Sequence, residues 1–74
     1  MITRRVKLTF MEHLIRNPLI YEMTTCYEVV TSIYQAQITD GLGWVILDLS
    51  GEAQVVDQAT KWLCDEGVTV EYVH

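Results

Sequence analysis

Side chains able to do acid–base, metal or thiol chemistry are few in this chain and lie far apart. The two histidines are His13 and His74, and neither has a cysteine or another histidine at metal-ligand spacing. The two cysteines, Cys26 and Cys64, are widely separated and form no Cys-x-x-Cys motif. This pattern predicts no metal site and favours two free thiols, as in a chain from a reducing compartment.

Catalysis by the remaining polar residues is not expected either. Asp57, Asp65 and Glu66 lie on or next to one predicted helix, where acids usually form a solvated face. Arg16 and Asn17 precede another predicted helix, whose N-terminus is able to bind an anion. That segment has no glycine to let the backbone wrap around a phosphate. We therefore expect no catalytic residue and no cofactor, and a protein that is not an enzyme.

The charge of the chain disfavours nucleic-acid partners. The sequence has 10 acids against 5 Lys and Arg, a net charge of -5, whereas nucleic-acid binding draws on clustered basic residues. Arg5 and Lys7 alternate with apolar residues and are typical of the wet face of a strand. No apolar run approaches the roughly 18 residues of a membrane span, and no signal-peptide pattern is present. We expect a cytoplasmic chain that does not insert into a membrane.

The elements that must position any site are organised around one strand, Gly43–Gly51. Val45, Leu47 and Leu49 make one of its faces apolar, whereas the other face is mixed, because side chains in a strand alternate. This asymmetry suits a sheet that is covered by helices on one face. Residues 4–10 alternate in the same way and predict a second half-buried strand.

Two helices are predicted between the strands. Asn17 is the N-cap of a first helix that begins at Pro18 and continues to about Tyr27. Its apolar side includes Cys26, which we expect to be buried. The second helix runs over residues 52–66.

Two further features follow from the helical periodicity. On a helical wheel of the second helix, Cys64 lies on the side away from the core, so we expect no disulfide with Cys26. Gly67 ends that helix in the left-handed conformation, and a last strand follows over residues 68–73.

The remaining strand, residues 29–38, is irregular. Val29, Thr31 and Ile33 share one parity, whereas Ala36 and Ile38 share the other. Both sets can lie on one face only if a residue is inserted, so we predict a β-bulge near Tyr34–Gln35. Residues 39–43 then form a turn into Gly43–Gly51.

This order predicts an α+β, ferredoxin-like βαββαβ sandwich. A four-stranded antiparallel sheet carries two helices on one face, its first and third strands are central, and residues 1–74 form one domain. The predicted core consists of Val6, Leu8, Phe10, Val45, Leu47, Leu49, Val55, Ala59, Leu63 and Val70.

The open face of this sheet is predicted to carry Trp44 and Ile46, with Tyr34 either beside them or at the bulge. RNA-binding relatives of this topology stack bases on several aromatic residues of the central strands, and here Trp44 stands alone. A contiguous Trp–Ile patch on a small protein more often marks a contact surface than scattered apolarity.

Several stretches of the chain together carry a family resemblance: residues 5–10, the helix at Pro18, Gly43–Gly51, and the ending from Ala59 to Val68. Over essentially its whole length the chain resembles the NIL domain, a ferredoxin-like unit related in shape to ACT domains. Such domains occur at the C-terminus of bacterial methionine-import ATPases, beside iron–sulfur ferredoxin modules, and alone. The resemblance implies a regulatory module that binds the transported amino acid and pairs with another copy.

One departure from the family pattern falls on the irregular strand. The Asn-Ile-Leu run that names the family appears here as Ser32-Ile33-Tyr34. Serine has one short hydroxyl where asparagine has a carbonyl acceptor and two N–H donors, so a ligand would be held differently. The resemblance and the bulge together predict a ligand site lined by Ser32, Ile33, Tyr34, Gln35 and Ala36.

Two functional hypotheses follow. The first is a stand-alone NIL-type regulatory domain that binds an amino acid or a sulfur-containing metabolite without catalysis. The alternative is an adaptor that docks on a transporter ATPase or a ferredoxin-like partner and has no ligand pocket. In either case we expect a homodimer, because the irregular strand is an edge that lacks Lys and Pro. Its interface would use Ile33 and Gln35 on the edge, or Trp44 and Ile46 on the open face.

Overall fold

The computed structural model of the chain describes residues 1–11, 14, 18–39 and 41–73. Along the chain lie β1 (Ile2–Met11), α1 (Leu19–Cys26), β2 (Val30–Thr39), β3 (Leu42–Gly51), α2 (Ala53–Asp65) and β4 (Thr69–Tyr72). The four strands form one antiparallel sheet in the order β2-β3-β1-β4. The predicted ferredoxin-like βαββαβ fold is confirmed, with β1 and β3 central and β2 and β4 at the edges.

The register between β1 and β3 separates an apolar face from a mixed one, which carries Trp44 and Ile46 as well as polar side chains. Val6 lies opposite Leu47 and Leu8 opposite Val45, and these side chains face the helices. The intervening residues, such as Lys7, lie on the open face. The helix-covered face is the one that the alternation of both strands predicts.

The core lies between this face of the sheet and the helices. Seven of the ten predicted core residues are buried, whereas Val45, Val55 and Val70 are partly buried and pack against its margin. The remaining buried apolar residues of the core come from the helices and the connecting segments: Leu14, Leu19, Met23, Val29, Val56 and Val68.

The beginning of α1 is only partly described. Arg16 and Asn17, the predicted anion-binding and capping residues, lie outside the described residues, as do His13 and His74. Pro18 occupies the N-cap position, and its carbonyl accepts a hydrogen bond from the Glu22 N–H at 2.9 Å.

The prediction that Cys26 is buried is wrong, because both cysteines are free and exposed. Leu19 and Met23 do form the buried stripe of α1, but Cys26 is the last residue of the helix. The backbone becomes extended at Tyr27 (φ -126°, ψ 142°), so the helix ends before its stripe can carry Cys26 into the core. The exposure of Cys64 is confirmed.

Helix α2 packs as its periodicity predicts. Val56, Ala59 and Leu63 are fully buried along one side. The helix ends in a Schellman motif, in which the N–H of Val68 donates to the Leu63 carbonyl at 3.0 Å. Gly67 adopts φ +98°, the left-handed conformation that a residue without Cβ adopts at no steric cost.

Replacing Leu47 by alanine is expected to destabilise the fold by about 2–5 kcal/mol, because its fully buried side chain would leave a cavity. Leu42→Ala is the matched control, since Leu42 lies at the exposed end of the same strand. Urea denaturation measures both changes. Equal losses in the two variants would contradict the placement of Leu47 at the centre of the core.

Both cysteines are expected to react with a thiol reagent in the folded protein, since both are exposed. Labelling of the native chain with a chromogenic disulfide reagent should consume two equivalents without denaturant. The single variants Cys26→Ser and Cys64→Ser should each consume one. A thiol of Cys26 that reacts only after unfolding would contradict its exposed position.

Candidate functional site

The β-bulge predicted in β2 is present at Tyr34. The pairing with β3 runs regularly up to Ile33 opposite Leu47 and resumes with Gln35 opposite Ile46. Tyr34 is therefore the inserted residue, and the strand keeps both Ile33 and Ala36 on the helix-covered face. A bulge of this kind re-aims one side chain and is common at sheet edges and functional sites.

The bulged strand is the most exposed element of the sheet. Among its ten residues only Thr31 is partly buried, and the side chains of Ile33 and Ile38 are 61% and 70% exposed. In the described sheet, β2 pairs only with β3, so its outer side presents unpaired backbone N–H and C=O groups. Apolar side chains and free backbone groups thus occur together on this edge.

The side chain of Tyr34 lies against an ion pair on the open face. Arg5 donates from Nε to Oδ1 of Asp48 at 2.9 Å and from its terminal nitrogen to Oδ2 at 3.3 Å. The Tyr34 ring centroid lies 4.3 Å from the guanidinium carbon of Arg5, a cation–π contact. The bulge therefore directs Tyr34 over the central strands, and Ser32 lies opposite Asp48 on the same face.

This ion pair shifts the titration of both partners. Hydrogen bonds from the Arg5 guanidinium hold the pKa of the Asp48 carboxyl below its usual value of 3.8. The same carboxylate raises the pKa of Arg5. Because each charge is matched by the other, the pair clamps β1 to β3 and leaves no unshared charge for chemistry.

Trp44 and Ile46 lie on the open face, as predicted, but each is half-buried. The ammonium of Lys7 lies 5.2 Å from the Trp44 ring centroid and covers part of that ring. Ile46 lies between Lys7 on β1 and Gln35 on β2. The predicted contact patch is therefore smaller and more polar than the two side chains alone indicate.

An apolar cavity of about 190 Å³ opens between the start of α1 and the β2–β3 hairpin. An engineered apolar cavity of about 150 Å³ takes up benzene, so this space suits one small apolar group. Its walls come from both layers of the fold: Phe10, Leu14, Pro18, Leu19, Ile20, Tyr21, Ile38, Gly43, Trp44 and Val45.

The cavity and the sequence-predicted ligand residues do not coincide. Ser32–Ala36 contributes no residue to its lining, and Trp44 is the predicted interface residue that it includes. Most residues that line the cavity were not selected from the sequence. Their one signal there is the run Leu19-Ile20-Tyr21, because three adjacent apolar residues cover more of a helix surface than a single buried stripe does. Tyr21, which is 68% exposed, extends that stripe to the mouth of the cavity.

Elsewhere among the described residues, few clusters of side chains could bind a ligand or react. No three His, Cys, Asp or Glu side chains among them come together as metal ligands, and none of their helices is long and apolar enough to cross a membrane. Arg4 forms an ion pair with Asp57 of α2, and its guanidinium lies 5.9 Å from the Tyr72 ring centroid. This second cluster ties the β4 edge to α2.

Comparison with known proteins finds a family model that covers nearly the whole chain. The family model described as NIL domain matches residues 4–72. Comparison with curated proteins finds no significant match.

Two solved structures share the fold. One is the C-terminal domain of an ABC transporter ATP-binding protein from Enterococcus faecalis, with 28% identity and a TM-score of 0.84 over 95% of this chain and 82% of that one. The other is the de novo designed protein Foldit4, with 12% identity and a TM-score of 0.58 over 96% and 91% of the two chains. The designed protein supports the fold alone.

The variant Asp48→Asn is expected to lower stability at neutral pH and to lose this effect in acid. Because the pKa of Asp48 is lowered by folding, the ion pair contributes fully above pH 3.8 and fades as the pH falls through the lower folded value. Urea denaturation of parent and variant from pH 7 to pH 2 measures the difference. Asp65→Asn, an exposed acid at the end of α2, is the control. A difference between parent and Asp48→Asn that persists unchanged at pH 2 would contradict this role.

Proposed function

This chain belongs to the NIL domain family, and on that basis we propose that it is a non-catalytic regulatory domain that binds a small amino acid or a sulfur-containing metabolite. The observation that carries the proposal is the apolar cavity beside the unpaired β2 edge. The cavity offers room for an apolar side chain, and free backbone groups nearby offer partners for polar ligand atoms.

The cavity suits the side chain of an amino acid such as methionine or leucine. Its volume of about 190 Å³ is below the roughly 300 Å³ at which drug-sized pockets begin. Apolar walls from Phe10, Leu19 and Val45 would remove such a side chain from water, at about 25 cal/mol per Å² buried. A flexible thioether fills an irregular space of this kind well.

Two positions compete for the ligand, and the cavity is the better supported. The segment Ser32–Ala36 lies on an exposed edge, where a small ligand would keep most of its surface in water. The cavity is concave and lies beside Ile38 on the same strand. We therefore place the apolar group of the ligand in the cavity and keep Ser32–Ala36 as the second position.

The distribution of charge supports binding without catalysis. The residues whose pKa values are shifted, Arg5 and Asp48, neutralise each other on the open face. Perturbed groups often mark active sites, but structural ion pairs shift pKa values in the same way. The cavity, in contrast, is walled almost entirely by apolar side chains on the helix-covered side.

The adaptor hypothesis has an observation of its own. The exposed backbone and isoleucines of β2 suit the addition of a strand from another protein. The similarity to a transporter C-terminal domain supports a transporter ATPase as the partner, and the family resemblance adds ferredoxin-like proteins. Both versions of the proposal include a cytoplasmic location and a homodimer formed through the β2 edge or the open face.

Calorimetric titration of the protein with methionine, leucine, cysteine and alanine tests ligand binding. We expect the two larger apolar amino acids to bind and alanine to bind weakly, because only the larger side chains fill the cavity. If none of the four amino acids gives a heat of binding, the ligand hypothesis is contradicted and the adaptor hypothesis remains.

Two matched variants locate the ligand. Tyr21→Ala opens the cavity wall and should weaken binding about tenfold, equivalent to about 1.4 kcal/mol. Tyr34→Ala removes a tyrosine of similar exposure at the bulge and should leave the affinity unchanged. The reverse pattern would move the site to Ser32–Ala36.

A further inference from the structure

The outer edge of β4 lies on the opposite side of the sheet from β2. In the described sheet β4 pairs only with β1. The N–H of Val73 donates to the Arg5 carbonyl at 2.9 Å, and residues two apart along a strand direct their backbone groups to the same side. Glu71 therefore also directs its backbone groups toward β1, whereas Val70 and Tyr72 direct their N–H and C=O groups outward.

A groove of about 330 Å³ lies along this edge, between β4 and α2. It is lined by Asp57, Thr60, Lys61 and Cys64 of α2 and by Val70 and Tyr72 of β4. The two residues with outward backbone groups thus also border the groove with their side chains. Facing residues of paired strands share a face of the sheet, so a strand added to β4 would direct the side chains that face Val70 and Tyr72 into the groove.

One wall of the groove is held in place before anything binds. Arg4 forms an ion pair with Asp57 of α2, and its guanidinium carbon lies 5.9 Å from the Tyr72 ring centroid. The Tyr72 side chain, which is 55% exposed, is therefore restrained by a charge that is itself fixed to the helix. A wall that is already ordered loses less conformational entropy when a partner binds.

The charge at the middle of the edge favours a basic partner. Glu71 is exposed on the open face, between the two residues whose backbone groups point outward. It lies opposite Lys7 in the ladder, but the Lys7 ammonium lies 5.2 Å from the Trp44 ring centroid, and Glu71 forms no ion pair among the described residues. A Lys or Arg facing it from an added strand would meet an unpaired carboxylate, and opposite charges facing each other stabilise paired strands.

The groove side of the same edge has the reverse preference. Lys61 is exposed on the α2 wall and makes no ion pair or cation–π contact with another described residue. A second basic side chain in the groove would be repelled by Lys61, whereas an apolar one would pack against the partly buried Val70. The edge thus selects a segment with the order apolar, basic, apolar.

A second copy of the chain does not match this order. Two β4 strands related by a two-fold axis pair Val70 with Tyr72 of the second copy only if Glu71 faces its own equivalent. Like charges directly opposite each other destabilise a strand pair, and each copy has a net charge of -5. The charges therefore favour a different, basic molecule at this edge.

We propose that the β4 edge and its groove bind an extended segment of another protein by strand addition. The segment has Lys or Arg facing Glu71 and apolar residues facing Val70 and Tyr72. In this mode backbone hydrogen bonds supply affinity, and the pockets for alternate side chains supply specificity. The proposal goes beyond the proposed function, since it uses neither the apolar cavity nor β2.

Capture by Cys64 measures the binding of so short a segment, because this exposed thiol lies in the groove wall. The protein is the Cys26→Ser variant, and the probe is acetyl-Thr-Val-Lys-Val-Thr-Gly-Gly-Cys-amide, supplied as its mixed disulfide with β-mercaptoethanol. The Cys64 thiolate displaces β-mercaptoethanol, and mass spectrometry gives the captured fraction at equilibrium. We expect an equilibrium constant about fivefold higher than for the peptide with Glu in place of Lys.

Two protein variants and one further peptide control this measurement. Glu71→Gln should remove most of the preference for the Lys peptide, whereas Glu52→Gln, an exposed acid beside the start of α2, should retain it at the same net charge. The peptide with Pro in place of both Val lacks the N–H groups that face β4 and should lose its advantage. Equal capture of the Lys and Glu peptides, or a preference unchanged by Glu71→Gln, would overturn the proposal.

Amide hydrogen exchange shows whether the captured peptide forms a strand. The N–H groups of Val70 and Tyr72 should exchange rapidly in the protein alone and about tenfold or more slowly in the conjugate. The Glu71 amide, directed toward β1, should be protected in both and is the internal control. Capture without protection of Val70 and Tyr72 would overturn strand addition. Protection that is already present in the protein alone and rises with its concentration would assign the edge to a second copy and also overturn the proposal.

Discussion

The antiparallel pairing of β1 with β3 is the interaction on which the rest of the structure depends. Ten residue pairs join the two strands from end to end, and their apolar side chains make one continuous face. Burial of that face against α1 and α2 supplies the main stabilisation available to so short a chain. The Arg5–Asp48 ion pair then fastens the same two strands from the open side. Both edges and the cavity are positioned relative to this central pair.

The two edge strands, β2 and β4, differ in length, charge and contacts with the rest of the fold. β4 is short, and Arg4 connects its Tyr72 to Asp57 on α2. β2 is long, uncharged and exposed, and its single bulge sends Tyr34 back over Arg5. The bulge therefore keeps Ile33 and Ile38 of β2 on one face of the sheet.

This arrangement gives a small domain two surfaces that other molecules could contact, the apolar cavity and the β2 edge. A cavity between layers can bind an apolar group, and a free edge beside it can pair with another chain. Ile38 belongs to both surfaces, so a ligand in the cavity and a chain on the β2 edge would contact the same residue. A regulatory domain needs coupled sites, since a ligand changes an equilibrium only when it favours one of two states.

The sequence alone was sufficient for the fold, the faces of the strands and the bulge. Each of these follows from local periodicity, and a shift of parity between Ile33 and Ala36 has only one geometric solution in a strand with one buried face. Tertiary structure decided where helices end relative to the sheet and where space remains between the layers. Thus Cys26 is exposed because α1 stops there, and the cavity at Tyr21 exists because a helix and a hairpin that are distant in sequence do not close completely upon each other.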